Sequence, residues 1–191
     1  MPLNLGTEKF IDYINLNFFE KNNVQVDPEF LSRWIYTMGI PPDLNKVTST
    51  RFQNVNNELE NFLQGTSALQ INAQEWSSHE WLHFIRNLPL DLHLERMEEL
   101  DRAFNLTMSG NSEILVAWFL HVIAKEYTPA YSQLEKFLTT VGRRKFLVPL
   151  YKELVKSPEG LTFATEIYQK ARPNYHYVSS NTLDKILDWN P

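Results

Sequence analysis

Apolar residues recur at intervals of three and four along almost the whole chain, which is the spacing of one face of an α-helix. No segment alternates strictly between apolar and polar positions, as a half-buried strand would. The recurring positions define segments of a few helical turns: Phe10 to Phe18, Leu31 to Met38, Phe52 to Phe62, Trp81 to Leu88, Leu94 to Phe104, Ile114 to Ala124, Tyr131 to Leu138, Leu147 to Leu154, Ala164 to Ala171 and Leu183 to Leu187. The pattern predicts an all-α fold of about ten helices.

The breaks between these segments contain residues that start and stop helices. Asp27-Pro28, Thr128-Pro129 and Ser157-Pro158 each place a capping side chain before a proline, which favours a helix start. Gly39 followed by Pro41-Pro42 favours a helix end. Because the connections are short, neighbouring helices are expected to be antiparallel, either in a compact bundle or in a short α-solenoid layer. We favour the solenoid, although no sequence repeat of fixed period is visible.

The composition indicates a chain that folds around a sizeable core. Of 191 residues, 43% are hydrophobic, and five Trp, twelve Phe and eight Tyr exclude a flexible linker. The simplest organisation is a single domain over residues 1–191. A net charge of −5 disfavours nucleic acid as the main partner, since binding phosphates requires clustered cations. The absence of cysteine excludes disulfides, thiol catalysis and Cys-ligated zinc, and leaves the compartment open with the cytoplasm slightly favoured.

Neither a membrane span nor a signal peptide is expected. The most apolar run, Ile114 to Ala124, is interrupted by His121 and is about half of the ~20 residues that a bilayer requires. It predicts a buried helix. The first residues, Met1-Pro2-Leu3-Asn4, lack the basic region and apolar stretch of a signal peptide.

His79-Glu80-Trp81-Leu82-His83 has the spelling of a zinc-protease motif, in which two histidines on one helix face bind the metal and the glutamate acts as general base. On a helical wheel, Trp81 lies with the other apolar residues of its segment, and His79 and His83 lie on the opposite side, which should face water. A free-standing zinc metalloprotease that uses His79, Glu80 and His83 is therefore one hypothesis. We favour instead a solvated helix face with no metal.

Two features of the surrounding sequence argue against a catalytic zinc. Arg86 lies beside the histidines, and a fixed positive charge next to a dication is unfavourable. Zinc also requires a third protein ligand, which zinc aminopeptidases supply as a Glu after eighteen intervening residues; here that position is Arg102. Pro89 ends the helix shortly after the motif.

Gly142-Arg143-Arg144-Lys145-Phe146 concentrates three cations between two predicted helices. Gly142 could be a left-handed helix cap, with the cations complementing the negative end of the preceding helix. Alternatively, the cations stand at the positive start of the next helix because they bind an anion such as a carboxylate. Spacing alone leaves both interpretations open.

The chain resembles the C-terminal helical domain of leukotriene A4 hydrolase and related gluzincin zinc aminopeptidases. The resemblance spans nearly the whole chain and rests on an ordered set of motifs: Trp34 with Gly39 and Pro41-Pro42, Ser77-Ser78-His79, Asn111-Ser112-Glu113-Ile114 with Trp118, Gly142-Arg143-Arg144-Lys145-Phe146, and Pro149-Leu150-Tyr151-Lys152-Glu153-Leu154. It implies a two-layer, armadillo-like arrangement of antiparallel helices that packs against a separate zinc domain. The family's own zinc motif lies in that upstream domain and does not align with His79 to His83.

The resemblance also implies a role for the basic cluster. In the family, the basic residues of this stretch project into the cleft between the domains and recognise the substrate carboxylate, which places Arg143 and Lys145 in that role. Arg144 stands where the family usually has an apolar residue, so another assignment among the three cations stays open. The implied function is a C-terminal domain of a zinc aminopeptidase that binds a short peptide, needs an upstream catalytic domain and performs no catalysis alone.

A third hypothesis is a helical-repeat scaffold for protein partners, motivated by the aromatic content and the helix pairing. It predicts a large exposed apolar patch. The aminopeptidase hypothesis predicts a similar patch where the catalytic domain would dock, so a patch alone does not separate the two. Upstream sequence containing a zinc motif would separate them.

Overall fold

The structure, a computed structural model, describes residues 6–27, 29–44 and 49–189. Backbone contacts divide the chain into two units, Met1–Thr48 and Ser49–Pro191, which are treated separately below. Within the described ranges the chain contains ten α-helices and no β-strand. The prediction of an all-α fold with about ten helices is confirmed. The prediction of a single domain over residues 1–191 stays a prediction.

The first unit contains two α-helices. Helix α1 covers Thr7–Ile14 and continues directly into a π-helical segment, Asn15–Glu20, and helix α2 covers Phe30–Tyr36. Helix α2 ends two residues earlier than the apolar pattern predicts, and Gly39 follows it with a φ of +93°, a value that glycine adopts readily.

An ion-pair cluster holds the ends of α2. The Arg33 guanidinium contacts the carboxylates of Asp27 at 2.7 Å and Asp43 at 3.1 Å. The Asp27 carboxylate also accepts a hydrogen bond from the Glu29 N–H at 3.0 Å, as a capping side chain would. Pro28, the other half of the predicted helix start, lies outside the described residues, as do Met1 to Asn4.

The second unit contains the remaining eight helices: α3 Thr50–Leu63, α4 Ser78–Arg86, α5 Leu94–Phe104, α6 Ser112–Ala124, α7 Tyr131–Thr140, α8 Arg144–Leu154, α9 Pro158–Ala171 and α10 Tyr177–Leu187. Short 3-10 turns lie between several of them. One such turn, Thr128–Ala130, occupies the start predicted at Thr128-Pro129, and α7 follows it directly. No helix in the described ranges is both long and apolar enough to cross a membrane.

Capping explains where α4 and α9 begin. Ser77 is the N-cap of α4 and forms a reciprocal capping box with Glu80. Ser157 is the N-cap of α9, and its hydroxyl accepts a hydrogen bond from the Gly160 N–H at 3.0 Å. The start of α9 confirms the prediction at Ser157-Pro158. Of the two interpretations of Gly142, the left-handed cap does not hold, because positive φ among the described glycines occurs at Gly39 and Gly65.

Helix α6 is the centre of the second unit. Eight of its residues on all sides of the helix are buried, as expected for a helix that is apolar all round. The Trp118 indole donates to the Thr107 hydroxyl at 2.9 Å, and this hydroxyl donates to Asp101 at 2.6 Å. The buried indole N–H of Trp118 is thereby satisfied through a chain of hydrogen bonds that ends on α5.

Helices α3, α4, α6, α8 and α10 form a row in which each packs on the next, while α7 packs on α9. Asn111 at the start of α6 donates to Ser78 at the start of α4 at 2.9 Å, and His121 near the end of α6 contacts the Ile85 carbonyl near the end of α4 at 2.9 Å. The two helices are therefore parallel, which agrees with alternate helices forming one layer. The two-layer armadillo arrangement itself stays a prediction.

Candidate functional site

The glutamate of the zinc-like motif, Glu80, is a structural residue of α4. Its side chain is 5% exposed and accepts hydrogen bonds from Arg51 Nε at 2.9 Å and Arg51 Nη2 at 2.8 Å. It also accepts from the Ser77 N–H at 2.9 Å and the Ser77 hydroxyl at 2.8 Å. The Arg51 hydrogen bonds, followed by the Ser77 N–H, lower the pKa of Glu80 to about 2. A carboxylate with four donors and such a low pKa is poorly suited to act as a general base.

The two histidines of the motif have different environments. His79 is exposed, as the sequence predicts. His83 is half-buried, because α3 packs against this side of α4. The His83 ring stacks on Phe52, with centroids 4.6 Å apart, and its Nε2 lies 2.7 Å from Asn56 Oδ1. The prediction that this helix face is exposed to solvent therefore holds for His79 and only in part for His83.

The motif does not fit a catalytic zinc. In the described part of the chain, no three His, Cys, Asp or Glu side chains lie together as a metal site would require. The glutamate is engaged by Arg51, and one nitrogen of His83 is engaged by Asn56. A zinc ion implied by the family resemblance therefore finds no suitable ligand set here.

The basic cluster lies at the start of α8, as predicted. Arg143 is the N-cap residue, and its carbonyl accepts hydrogen bonds from Phe146 and Leu147, which begin the helix. Ser179 on α10 donates to the Gly142 carbonyl at 2.8 Å and fixes the preceding turn. All three cationic side chains are exposed.

The three cations have different partners. Arg144 Nε donates to the Thr182 hydroxyl on α10 at 2.9 Å, so Arg144 is directed to a neighbouring helix. Lys145 forms an ion pair with Glu113 at the start of α6. Arg143 has its guanidinium carbon 5.4 Å from the Phe146 ring centroid, and it makes no ion pair or side-chain hydrogen bond to any residue that the structure describes. Arg143 is therefore the cation of the cluster best placed to accept an external anion.

The structure adds Arg86 and Glu113 to the cluster. Lys145, first through its hydrogen bond, and then Arg86 and Arg143 through their charge, lower the pKa of Glu113. Lys145 thus contacts this carboxylate, and Arg86 and Arg143 lie near enough for their charges to act on it, where α4 ends and where α6 and α8 begin. The sequence placed Arg86 only beside His83. Its position near Lys145 depends on the packing of α4, α6 and α8, which the local sequence does not show. The only signal for Glu113 was its place in a motif of the family.

This geometry can bind an anion. Arginine can donate two parallel hydrogen bonds to a carboxylate, and lysine supplies a compact charge. A single internal carboxylate leaves the cluster with an excess of positive charge. The arrangement therefore suits recognition of a carboxylate.

The family model described as leukotriene A4 hydrolase, C-terminal, matches residues 76–187, which contain the basic cluster and α4 to α10. Leucine aminopeptidase 2-2 of Scheffersomyces stipitis is 25% identical over 201 residues, covering 96% of this chain and 31% of the relative. Leucine aminopeptidase 2 of Neurospora crassa is 28% identical over 119 residues, covering 61% of this chain and 18% of the relative. The chain thus spans about a third or less of the length of these curated relatives.

Solved structures share the fold. Native yeast leukotriene A4 hydrolase superposes with a TM-score of 0.72 at 22% identity, covering 97% of this chain and 33% of the yeast chain. The yeast enzyme in complex with bestatin gives a TM-score of 0.66 at the same identity and coverage. The family match extends over more than half of the chain. The chain therefore belongs to the leukotriene A4 hydrolase C-terminal domain family.

Proposed function

We propose that this chain is the accessory domain of a zinc aminopeptidase, in which Arg143, assisted by Lys145, binds the carboxylate of a short peptide substrate. The single observation that supports this proposal most is the cluster at the start of α8. There Arg143 is exposed and without an ionic partner among the described residues, next to Lys145 and Arg86. A carboxylate that meets this cluster gains charge-assisted hydrogen bonds.

The partner in this proposal is a catalytic domain in the same polypeptide. The curated relatives are named leucine aminopeptidases and are about three times the length of this chain, so a protein of that kind has room for a separate catalytic domain. The chain would form one wall of the cleft between the domains. Zinc, which supplies an activated water in such enzymes, would be held by the catalytic domain and not by His79 and His83.

In this arrangement the chain contributes to the rate by positioning the substrate. Binding the far end of the peptide places the scissile bond relative to the catalytic groups, and misplacement by ~1 Å can cost about 100-fold in rate. No residue of the chain is required to transfer a proton or form a covalent bond. The isolated chain is accordingly expected to be inactive.

The proposal is tested in the aminopeptidase that contains this chain, with Arg143→Ala as the variant. Loss of a charge-assisted hydrogen bond should lower kcat/KM for short peptides about 10- to 100-fold while the zinc content stays unchanged. The measurement is steady-state kinetics on a tripeptide, together with metal analysis of the purified enzyme. Arg144→Ala is the matched control, since Arg144 donates to Thr182 and should have a much smaller effect.

Two results would contradict the proposal. Unchanged kinetics in Arg143→Ala would remove this residue from substrate binding. Stoichiometric zinc together with peptidase activity in the purified 191-residue chain would show that the chain has its own catalytic centre, as the hypothesis of a free-standing protease requires.

A further inference from the structure

A cavity of about 390 Å³ lies beside the basic cluster, bounded by the end of α4 and the loop after it, one face of α6 from Glu113 to His121, and the start of α8. This volume is within the range of pockets that bind small ligands. Apolar side chains form most of its wall: Leu88, Leu90, Val116, Leu120, Phe146 and Pro149. The cavity is therefore suited to an apolar group.

The charged residues that line the cavity are Arg86, Glu113 and Lys145. Phe146 links the cavity to the rest of the cluster, because its ring forms part of the wall and lies 5.4 Å from the Arg143 guanidinium carbon and 5.6 Å from Lys145 Nζ. The cations outnumber the single carboxylate, so a ligand with one further negative charge would complement this site.

The deepest polar residue of the lining is uncharged. His121 is 4% exposed, and burial lowers the pKa of its imidazole. Its Nε2 lies 2.9 Å from the Ile85 carbonyl and must donate the hydrogen bond, since a carbonyl can only accept. Because burial lowers the pKa of this imidazole, the neutral ring is favoured, and it does not add a charge to the apolar part of the cavity.

We propose that this cavity binds the apolar side chain of the carboxyl-terminal residue of a peptide, with the terminal carboxylate held next to it by Lys145, Arg86 and Arg143. The inference rests on the proposed function, which supplies the carboxylate, and adds the side-chain class that the site selects. Peptides that end in Phe or Leu should bind more tightly than peptides that end in Gly. In a well-formed apolar pocket the dissociation constants of the two kinds of peptide should differ by about tenfold or more.

The test measures dissociation constants of the 191-residue chain, labelled with 15N, by NMR titration. The ligands are N-acetyl-Ala-Phe, N-acetyl-Ala-Gly and their two carboxyl-terminal amides. The unaltered chain should bind the Phe acid at least about tenfold more tightly than the Gly acid. It should also prefer each acid to its amide.

The variant Val116→Trp fills the cavity from a half-buried position of α6. It should reduce the preference for Phe over Gly to less than about twofold and retain the preference for acids over amides. The control Leu161→Trp adds the same side chain at an exposed position of α9 and should leave both preferences unchanged. Matching NMR spectra away from the substituted residue verify that both variants are folded.

The comparison of Phe with Gly peptides tests the cavity, and the comparison of acids with amides tests the proposed function. Equal binding of the Phe and Gly acids by the unaltered chain, with acids still preferred to amides, would overturn the cavity assignment and leave carboxylate recognition intact. A Phe preference that persists in Val116→Trp would also overturn the cavity assignment. Equal binding of acids and amides would instead overturn the proposed function.

Discussion

At the scale of single residues, Glu80 shows how a familiar motif can have a structural role. Its carboxylate joins the start of α4 to Arg51 on α3 through four hydrogen bonds. Removing the charge from a buried, fully paired carboxylate leaves its partners unsatisfied. Glu80 thus contributes to helix packing, whereas the corresponding glutamate of a zinc protease acts as a general base.

We expect Glu80→Gln to lower the Tm of the chain at pH 7, measured by circular dichroism. The pKa of Glu80 is lowered to about 2 in the folded chain, from an ordinary value of about 4.5 for a glutamate. Its stabilisation is therefore present above about pH 4.5 and is lost as pH falls through about 2. The Tm difference between the unaltered chain and Glu80→Gln should shrink over that interval.

The matched control for this prediction is His79→Gln, one residue away on the same helix. His79 is exposed, so its replacement should leave the Tm nearly unchanged. A Tm in Glu80→Gln equal to that of the unaltered chain at pH 7 would contradict the structural role.

Residue patterns predicted only part of the site. The cations at 143–145 stand together in the sequence, and the family resemblance singled out Arg143 and Lys145. The ion pair of Lys145 with Glu113 and the contact of Arg144 with Thr182 each join positions more than thirty residues apart. Such contacts depend on tertiary packing, which the local pattern does not contain.

At the scale of helices, the apolar period and the capping residues predicted the positions of most elements. Helix ends were less predictable. A left-handed cap at Gly142 was one of two interpretations of the sequence, but Val141 ends α7 in an extended conformation and Ser179 holds the turn from α10. The local pattern also suggested a short last helix, whereas α10 extends over Tyr177–Leu187.

Gly142 and Gly160 both lie near helix starts, but they differ in the space available for a side chain. A Cβ on Gly160 would lie 2.2 Å from the Leu154 carbonyl oxygen and 2.8 Å from the Ser157 hydroxyl, whereas a Cβ on Gly142 would meet nothing within 4 Å. Although alanine normally favours a helix, Gly160→Ala should destabilise the chain by about 1–3 kcal/mol because of this overlap. Gly142→Ala should change the stability by no more than about 0.5 kcal/mol.

Urea unfolding of Gly160→Ala and Gly142→Ala measures the free energy of unfolding of each variant. Equal free energies of unfolding for the two variants would show that the close approach of α9 to the Leu154 carbonyl does not constrain Gly160.

At the scale of the whole molecule, the chain combines a buried helical core in the second unit with an exposed cluster of cations at the start of α8. The all-α class could be predicted because helical periodicity persists along almost the whole sequence. The cavity between α4, α6 and α8 could not, since its walls come from three helices and its volume depends on how closely they pack. The proposed function rests mainly on the family resemblance, and the family match confirms that resemblance.

Carboxylate recognition by Arg143 and its neighbours is the proposal on which the assigned function rests. The most direct measurement is the affinity of the 191-residue chain for N-acetyl-Ala-Phe compared with its carboxyl-terminal amide, in the unaltered chain and in Arg143→Ala. The unaltered chain should bind the acid about tenfold or more tightly than the amide, and Arg143→Ala should lose most of that difference. Equal affinity of the unaltered chain for the acid and the amide would contradict the claim.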